Sequence, residues 1–161
     1  MTEPTKKKSN AAVWIIGCAA LLFGGVFVAG ILAAIAIPSF INYTRRAKAV
    51  EAQTNVRTIA RGVEGFCAEH GALPSAIAPT ITPSNARQLA TLDPAWQSVG
   101  FAPGDPLYYA YAIERPDAAS AIVVAAGDLD DDGEPSRFAS TCTLTGTSCT
   151  CSETVVTNEL E

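Results

Sequence analysis

The sequence contains few of the residue patterns that indicate a catalytic site. Its 161 residues contain a single histidine, His70, and no pattern that combines a nucleophile, a base and an acid. His70 falls at the predicted end of a helix, where a positive charge is favourable, so a capping role is expected for it. The sequence therefore predicts a protein that is not an enzyme.

Charged side chains are absent from residues 11–44. As a helix, residues 11–37 would be about 40 Å long, against a bilayer hydrocarbon core of about 30 Å. The rest of the chain is too small to bury so long an apolar helix. A removable secretory signal would have a shorter apolar region, and cleavage at the lipoprotein-like box of residues 15–18 would leave a long apolar stretch behind. Residues 11–38 are therefore predicted to be the transmembrane half of a helix.

Basic residues are few and do not form a nucleic-acid surface. Residues 71–161 contain three basic and twelve acidic side chains, a net charge of −9, which would repel nucleic acid. The charges that flank the predicted span do not decide which of its ends is cytoplasmic. Three lysines at residues 6–8 precede the span, and three basic residues, Arg45, Arg46 and Lys48, follow it. Cysteines beyond the span indicate an oxidising compartment. We therefore expect residues 1–10 to be a cytoplasmic basic leader, with the rest of the chain beyond the span outside the cytoplasm.

A second, amphipathic half of the helix is predicted over residues 39–70. Pro38 removes one helical hydrogen bond, so a kink is expected there. Gly71 and Pro74 are expected to end the helix near His70. Spacings of three and four residues define one apolar stripe, formed by Ala49, Ala52, Val56, Ile59, Val63 and Phe66.

The run Gly30–Phe40 and the segments 41–43, 46–48 and 51–56 that follow it resemble the N-terminal helix of the type IV pilin superfamily. The resemblance implies an α+β fold, with a long kinked N-terminal helix packed on a small antiparallel β-sheet. It also implies a single-pass protein of the bacterial inner membrane with its head in the periplasm. Its partners would be membrane lipid and other pilin-like subunits or an assembly or secretion machinery.

The chain departs from the pilin pattern near its start. Pilins usually carry a glycine-aromatic cleavage site and a glutamate shortly after it, and neither is found around residues 16–22. Three functions follow from the resemblance: a structural subunit that assembles into a pilus (fimbrium), a pseudopilin of type II secretion, or an anchored periplasmic binding or sensor module that does not polymerise. We expect the first.

Residues 71–161 are predicted to form a globular head. Residues 71–106 are rich in proline and are predicted to form an irregular loop region with a short helix near residues 84–92. Trp96 and Phe101 are expected to be buried there by packing. About four antiparallel strands are expected after it, over residues 106–113, 121–126, 137–144 and 154–157.

An acidic loop at residues 127–134 suggests a structural Ca²⁺ site. Asp128, Asp130 and Asp132 occupy alternate positions as in an EF-hand loop, Gly133 supplies the turn, and Glu134 could offer its carbonyl. The acid that completes such a loop would fall at Ala139. A solvated acidic turn is the alternative.

Four cysteines, Cys67, Cys142, Cys149 and Cys151, are expected to form two disulfides rather than a zinc site. Cys149 and Cys151 are too close in sequence to pair comfortably. Of the two remaining pairings we favour Cys142 with Cys149 across a hairpin turning at Gly146, and Cys67 with Cys151.

Overall fold

One helix, α1, runs from Ala11 to His70. The structure is a computed structural model and describes residues 11–158; the predicted leader at 1–10 lies outside the described residues. The helix ends as predicted: Gly71 has a φ of 64°, and its amide donates to the carbonyl of Cys67 at 2.7 Å. Helical structure continues through Pro38, where the kink stays a prediction.

The described residues up to Ile41 belong to one of two units of the chain, and their large apolar side chains are exposed. α1 is long and apolar enough to cross a membrane, judged by its length and composition. Exposure of this kind is unfavourable in water, and it includes Trp14, Leu21, Phe23, Phe27, Leu32, Ile35 and Phe40.

The second unit, described over residues 42–158, is an α+β head in which the rest of α1 packs on an antiparallel sheet. The described strands are β1 (Ala110–Glu114), β2 (Ser120–Gly127), β3 (Ser136–Thr145), β4 (Ser148–Cys151) and β5 (Val155–Thr157). Their order is β1-β2-β3-β4, and β5 pairs with β3 on the same side as β4. A 3-10 helix, Pro94–Val99, precedes the sheet.

The core lies between α1 and the sheet, where the predicted stripe is buried from Ala49 to Val63. The prediction is wrong at its last member. Phe66 is only half-buried and stacks on His70, whereas Cys67 is fully buried because it is tied to the sheet by a disulfide. Trp96 and Phe101 are buried as predicted, with ring centroids 5.2 Å apart.

The predicted short helix at residues 84–92 is not present in the structure. Gln88 instead exchanges two backbone hydrogen bonds with Leu107, and its side chain donates to the carbonyl of Thr82 and the hydroxyl of Ser84. The helical turn begins later, after Asp93, whose carboxylate accepts from the amide of Ala95 at 2.8 Å.

Gly62 is a point of close approach between α1 and the 3-10 helix. A Cβ added at this position would overlap the backbone carbonyl of Val99, whereas a Cβ at Gly65 would meet no atom within 4 Å. The helix and the 3-10 segment therefore touch through backbone atoms at Gly62.

We predict that Gly62→Ala lowers the thermal unfolding midpoint of the full-length protein in detergent micelles by several degrees, because overpacking against a backbone costs about 1–3 kcal/mol. The matched variant Gly65→Ala should leave the midpoint unchanged or raise it, since alanine favours a helix interior by about 0.5–1 kcal/mol over glycine. Near-UV circular dichroism would follow both. Equal midpoints for the two variants would contradict this packing.

Candidate functional site

The acidic loop joins β2 to β3 and folds around the carboxylate of Asp128, which is 8% exposed. Its Oδ1 accepts from the amide of Asp131 at 2.6 Å and of Asp132 at 3.2 Å, and its Oδ2 accepts from that of Gly133 at 3.0 Å. Two left-handed residues make this wrap possible, Asp131 at a φ of 64° and Gly133 at 91°. The first aspartate therefore acts as the centre of a backbone turn.

Asp130 connects the loop to α1. Its Oδ2 lies 3.1 Å from a guanidinium nitrogen of Arg45, and both side chains are largely covered. The other oxygen, Oδ1, is buried and has no hydrogen-bond partner among the described residues. The loop therefore receives a positive charge from a residue 85 positions earlier in the chain, and no local pattern in the sequence signals that contact.

Three carboxylates of the loop could hold a cation. One oxygen each of Asp128, Asp130 and Asp132 lies within 4.8 Å of the other two. Glu134 is exposed, and its amide donates to Oδ1 of Asp132 at 2.8 Å. Ala139, at the position of the closing acid, lies within β3 opposite Val124 and Val155. The converging carboxylates thus belong to three of the four residues expected from the sequence, and binding through the carbonyl of Glu134 stays a prediction.

The four cysteines of the head form two disulfides, as expected, but with a different pairing: Cys67 with Cys149 and Cys142 with Cys151. The expected pairing is wrong because the β3–β4 hairpin turns on two residues, Gly146 and Thr147. This register sets Cys142 directly opposite Cys151, with Cα atoms 3.9 Å apart, and leaves Cys149 for α1.

A polar network that the sequence did not indicate links α1 to β1. Glu51 Oε1 accepts from the amide of Tyr108 at 3.0 Å and from the hydroxyl of Tyr111 at 3.3 Å, and Asn55 donates to that hydroxyl at 2.9 Å. Burial raises the pKa of Tyr111 far above its usual range, and the carboxylate of Glu51 adds to the rise. Tyr111 therefore remains a hydrogen-bond donor at any physiological pH.

An apolar face of α1 remains exposed within the head unit. Tyr43 is 70% exposed and Val50 is 58% exposed, and between them on the same side of the helix lie Ala47 and one charged residue, Arg46, both exposed. The buried stripe occupies a different side of the helix, so this face is available for contact with another helix.

No protein-family model, curated protein or solved structure matches this chain. Any functional conclusion therefore depends on its own residues.

We predict that Asp128→Asn lowers the thermal midpoint, measured in chelator, because charge-assisted hydrogen bonds to three amides contribute about 1.5–3 kcal/mol. Asp131→Asn is the matched control. It removes the same charge from the same loop at an exposed residue, and asparagine tolerates the left-handed backbone found there. A loss of stability equal in the two variants would show that net charge, rather than the bonds to Asp128, holds the turn.

Proposed function

We propose that the chain is a pilin-like structural subunit, anchored in the bacterial inner membrane by the first half of α1, with its head in the periplasm. In this proposal it is not an enzyme. Copies of it, or related subunits, would assemble through contacts between helices into a type IV pilus.

One observation carries the proposal: a single helix has two parts that need different surroundings. The described large apolar side chains up to Ile41 are exposed, whereas from Ala49 the same helix buries one stripe against the sheet of the head. An exposed apolar helix of this length is stable in lipid or against other apolar helices.

Small residues support close approach of such helices. Gly25, Ala29 and Ala33 recur every fourth residue, and all three are exposed. Spacing of this kind lets helix backbones approach within a membrane. The exposed face at Tyr43 and Val50 offers contact area beyond the apolar half, where a neighbouring subunit could continue the packing.

We predict that the full-length protein forms cross-linked oligomers in native membranes, and that Val50→Glu reduces them several-fold, because a buried charge between two helices is unfavourable. Ala68→Glu adds the same charge at an exposed position nearer the end of α1 and should cross-link like the wild type. A wild-type protein that remains monomeric in membranes, or a Val50→Glu variant with unreduced oligomers, would oppose assembly through this face.

Two further measurements separate the alternatives. Protease added to intact spheroplasts should digest the head if it is periplasmic. Mass spectrometry of the native protein reports on the leader: a start within residues 16–26 supports a filament subunit or a pseudopilin. A retained leader together with monomers favours the non-polymerising anchored module.

The acidic loop supports a second proposal, a Ca²⁺ ion held by Asp128, Asp130 and Asp132. Three converging carboxylates repel one another, and Asp130 Oδ1 is a buried acceptor without a partner. Arg45 already supplies one positive charge to this cluster, so binding should be weak, in the millimolar range of extracellular calcium modules.

We predict that millimolar calcium raises the thermal midpoint of the full-length protein relative to chelator, and that Arg45→Gln enlarges this rise because it removes the competing charge. Asp130→Asn should shrink it, and magnesium at equal concentration should have less effect, since it dehydrates reluctantly. An unchanged midpoint in calcium for both the wild type and Arg45→Gln would exclude the site.

A further inference from the structure

The β5 strand leaves one edge of the sheet open. It pairs with β3 on one side, and no other strand among residues 11–158 pairs with its second side. The opposite edge of the sheet is covered: the backbones of Ile77 and Thr80 bond to Ile113 and Tyr111 of β1. An open edge presents backbone groups to which an extended chain can add as a further strand.

The register identifies the backbone groups that face outward on β5. The carbonyl of Thr141 accepts from the amide of Ser152, whereas the amide of Leu144 bonds to Ala119 next to β2. Odd-numbered residues of β3 therefore direct their backbone groups toward β4 and β5. Ala139 and Arg137 then bond to Val155 and Thr157, which leaves the amide and carbonyl of Val156 on the open side.

Exposed apolar side chains accompany this edge. Val155 is 65% exposed and Val156 is 37% exposed. Among the described residues of the head beyond α1, Leu89 is the other large apolar side chain with comparable exposure. Val155 and Val156 point to opposite faces of the sheet, so an added strand would place side chains beside each of them.

A cleft of about 220 Å³ lies beside the edge, between α1 and the residues that join β4 to β5. Arg57 and Arg61, one helical turn apart, line it, and neither makes an ion pair or side-chain hydrogen bond to a described residue. Thr154 also lines the cleft, and its hydroxyl oxygen is buried without a partner. These are donors suited to a carboxylate, which two guanidinium groups and a hydroxyl can bind together.

The cleft also contains two acidic residues. Glu64 accepts from the amide of Cys151 at 2.9 Å, and Glu153 is exposed. The total charge of the cleft is therefore balanced. The net field of the cleft therefore does not select an anion, and the donors of Arg57, Arg61 and Thr154 would act on a ligand that other contacts hold in place.

We propose that the β5 edge and this cleft together bind an extended peptide segment of a partner protein that carries an acidic side chain. The peptide would add as a strand through the amide and carbonyl of Val156, while its carboxylate enters the cleft between Arg57, Arg61 and Thr154. This inference does not depend on assembly into a filament.

The test uses the full-length protein in detergent micelles and a fluorescein-labelled peptide of alternating valine and threonine with one central glutamate. Fluorescence anisotropy should show saturable binding that weakens about tenfold when glutamine replaces the glutamate. Arg57→Gln combined with Arg61→Gln should bind both peptides at the level of the glutamine peptide.

The Val156→Pro variant distinguishes strand addition from non-specific peptide binding. Proline removes an amide that β3 does not use, so the sheet should survive while peptide binding is lost; Val156→Thr keeps the amide and should bind as the wild type does. Thermal midpoints of both variants check the fold. The proposal is overturned if the wild type shows no saturable binding or if folded Val156→Pro binds equally well. It is also overturned if binding appears only after deletion of residues 159–161, since the chain's own end would then be the occupant.

Discussion

Burial of one stripe of α1 against the sheet is the interaction on which the rest of the head depends. Val56, Ile59 and Val63 are fully buried, and each contributes about 1.5–3 kcal/mol of hydrophobic free energy. This packing fixes the rotation of the helix about its axis. Polar side chains on its flanks then meet fixed partners in the head: Arg45 reaches the acidic loop and Glu64 reaches β4.

Local patterns predicted the parts of the fold that local forces decide. The apolar stripe and the helix end at His70 follow from helical periodicity and from the glycine and proline after it, and β2 follows from the β-rich run at residues 122–124. The cysteine pairing was wrong because it depends on a two-residue turn, and a small change of register places a different cysteine opposite Cys142. The contact of Arg45 with Asp130 joins residues far apart in sequence, so no spacing rule could find it.

Several acidic side chains of the head accept hydrogen bonds or an ion pair from nearby donors, which offsets part of its negative charge. Asp128 accepts three loop amides and Asp130 faces Arg45. In the β1–β2 turn, hydrogen bonds from the hydroxyl of Ser120 and the amide of Ala119 lower the pKa of Asp117. The acidic loop predicted from sequence as a metal site is therefore first a backbone turn centred on the carboxylate of Asp128.

One edge of the sheet, at β1, is covered by another segment of the chain, whereas the edge at β5 is not covered by any described strand. The chain returns over β1, where Arg115 also donates to the carbonyls of Leu73 and Pro74 and so holds the covering segment in place. On the other side both disulfides act at β4, and β5 has no comparable cover among the described residues. The two cross-links join α1 to β4 and β3 to β4, and Cys151 of the second one also lines the cleft. Because an edge strand that is already ordered loses little entropy when a chain adds to it, the uncovered β5 edge is the side on which the proposed peptide binding would cost least.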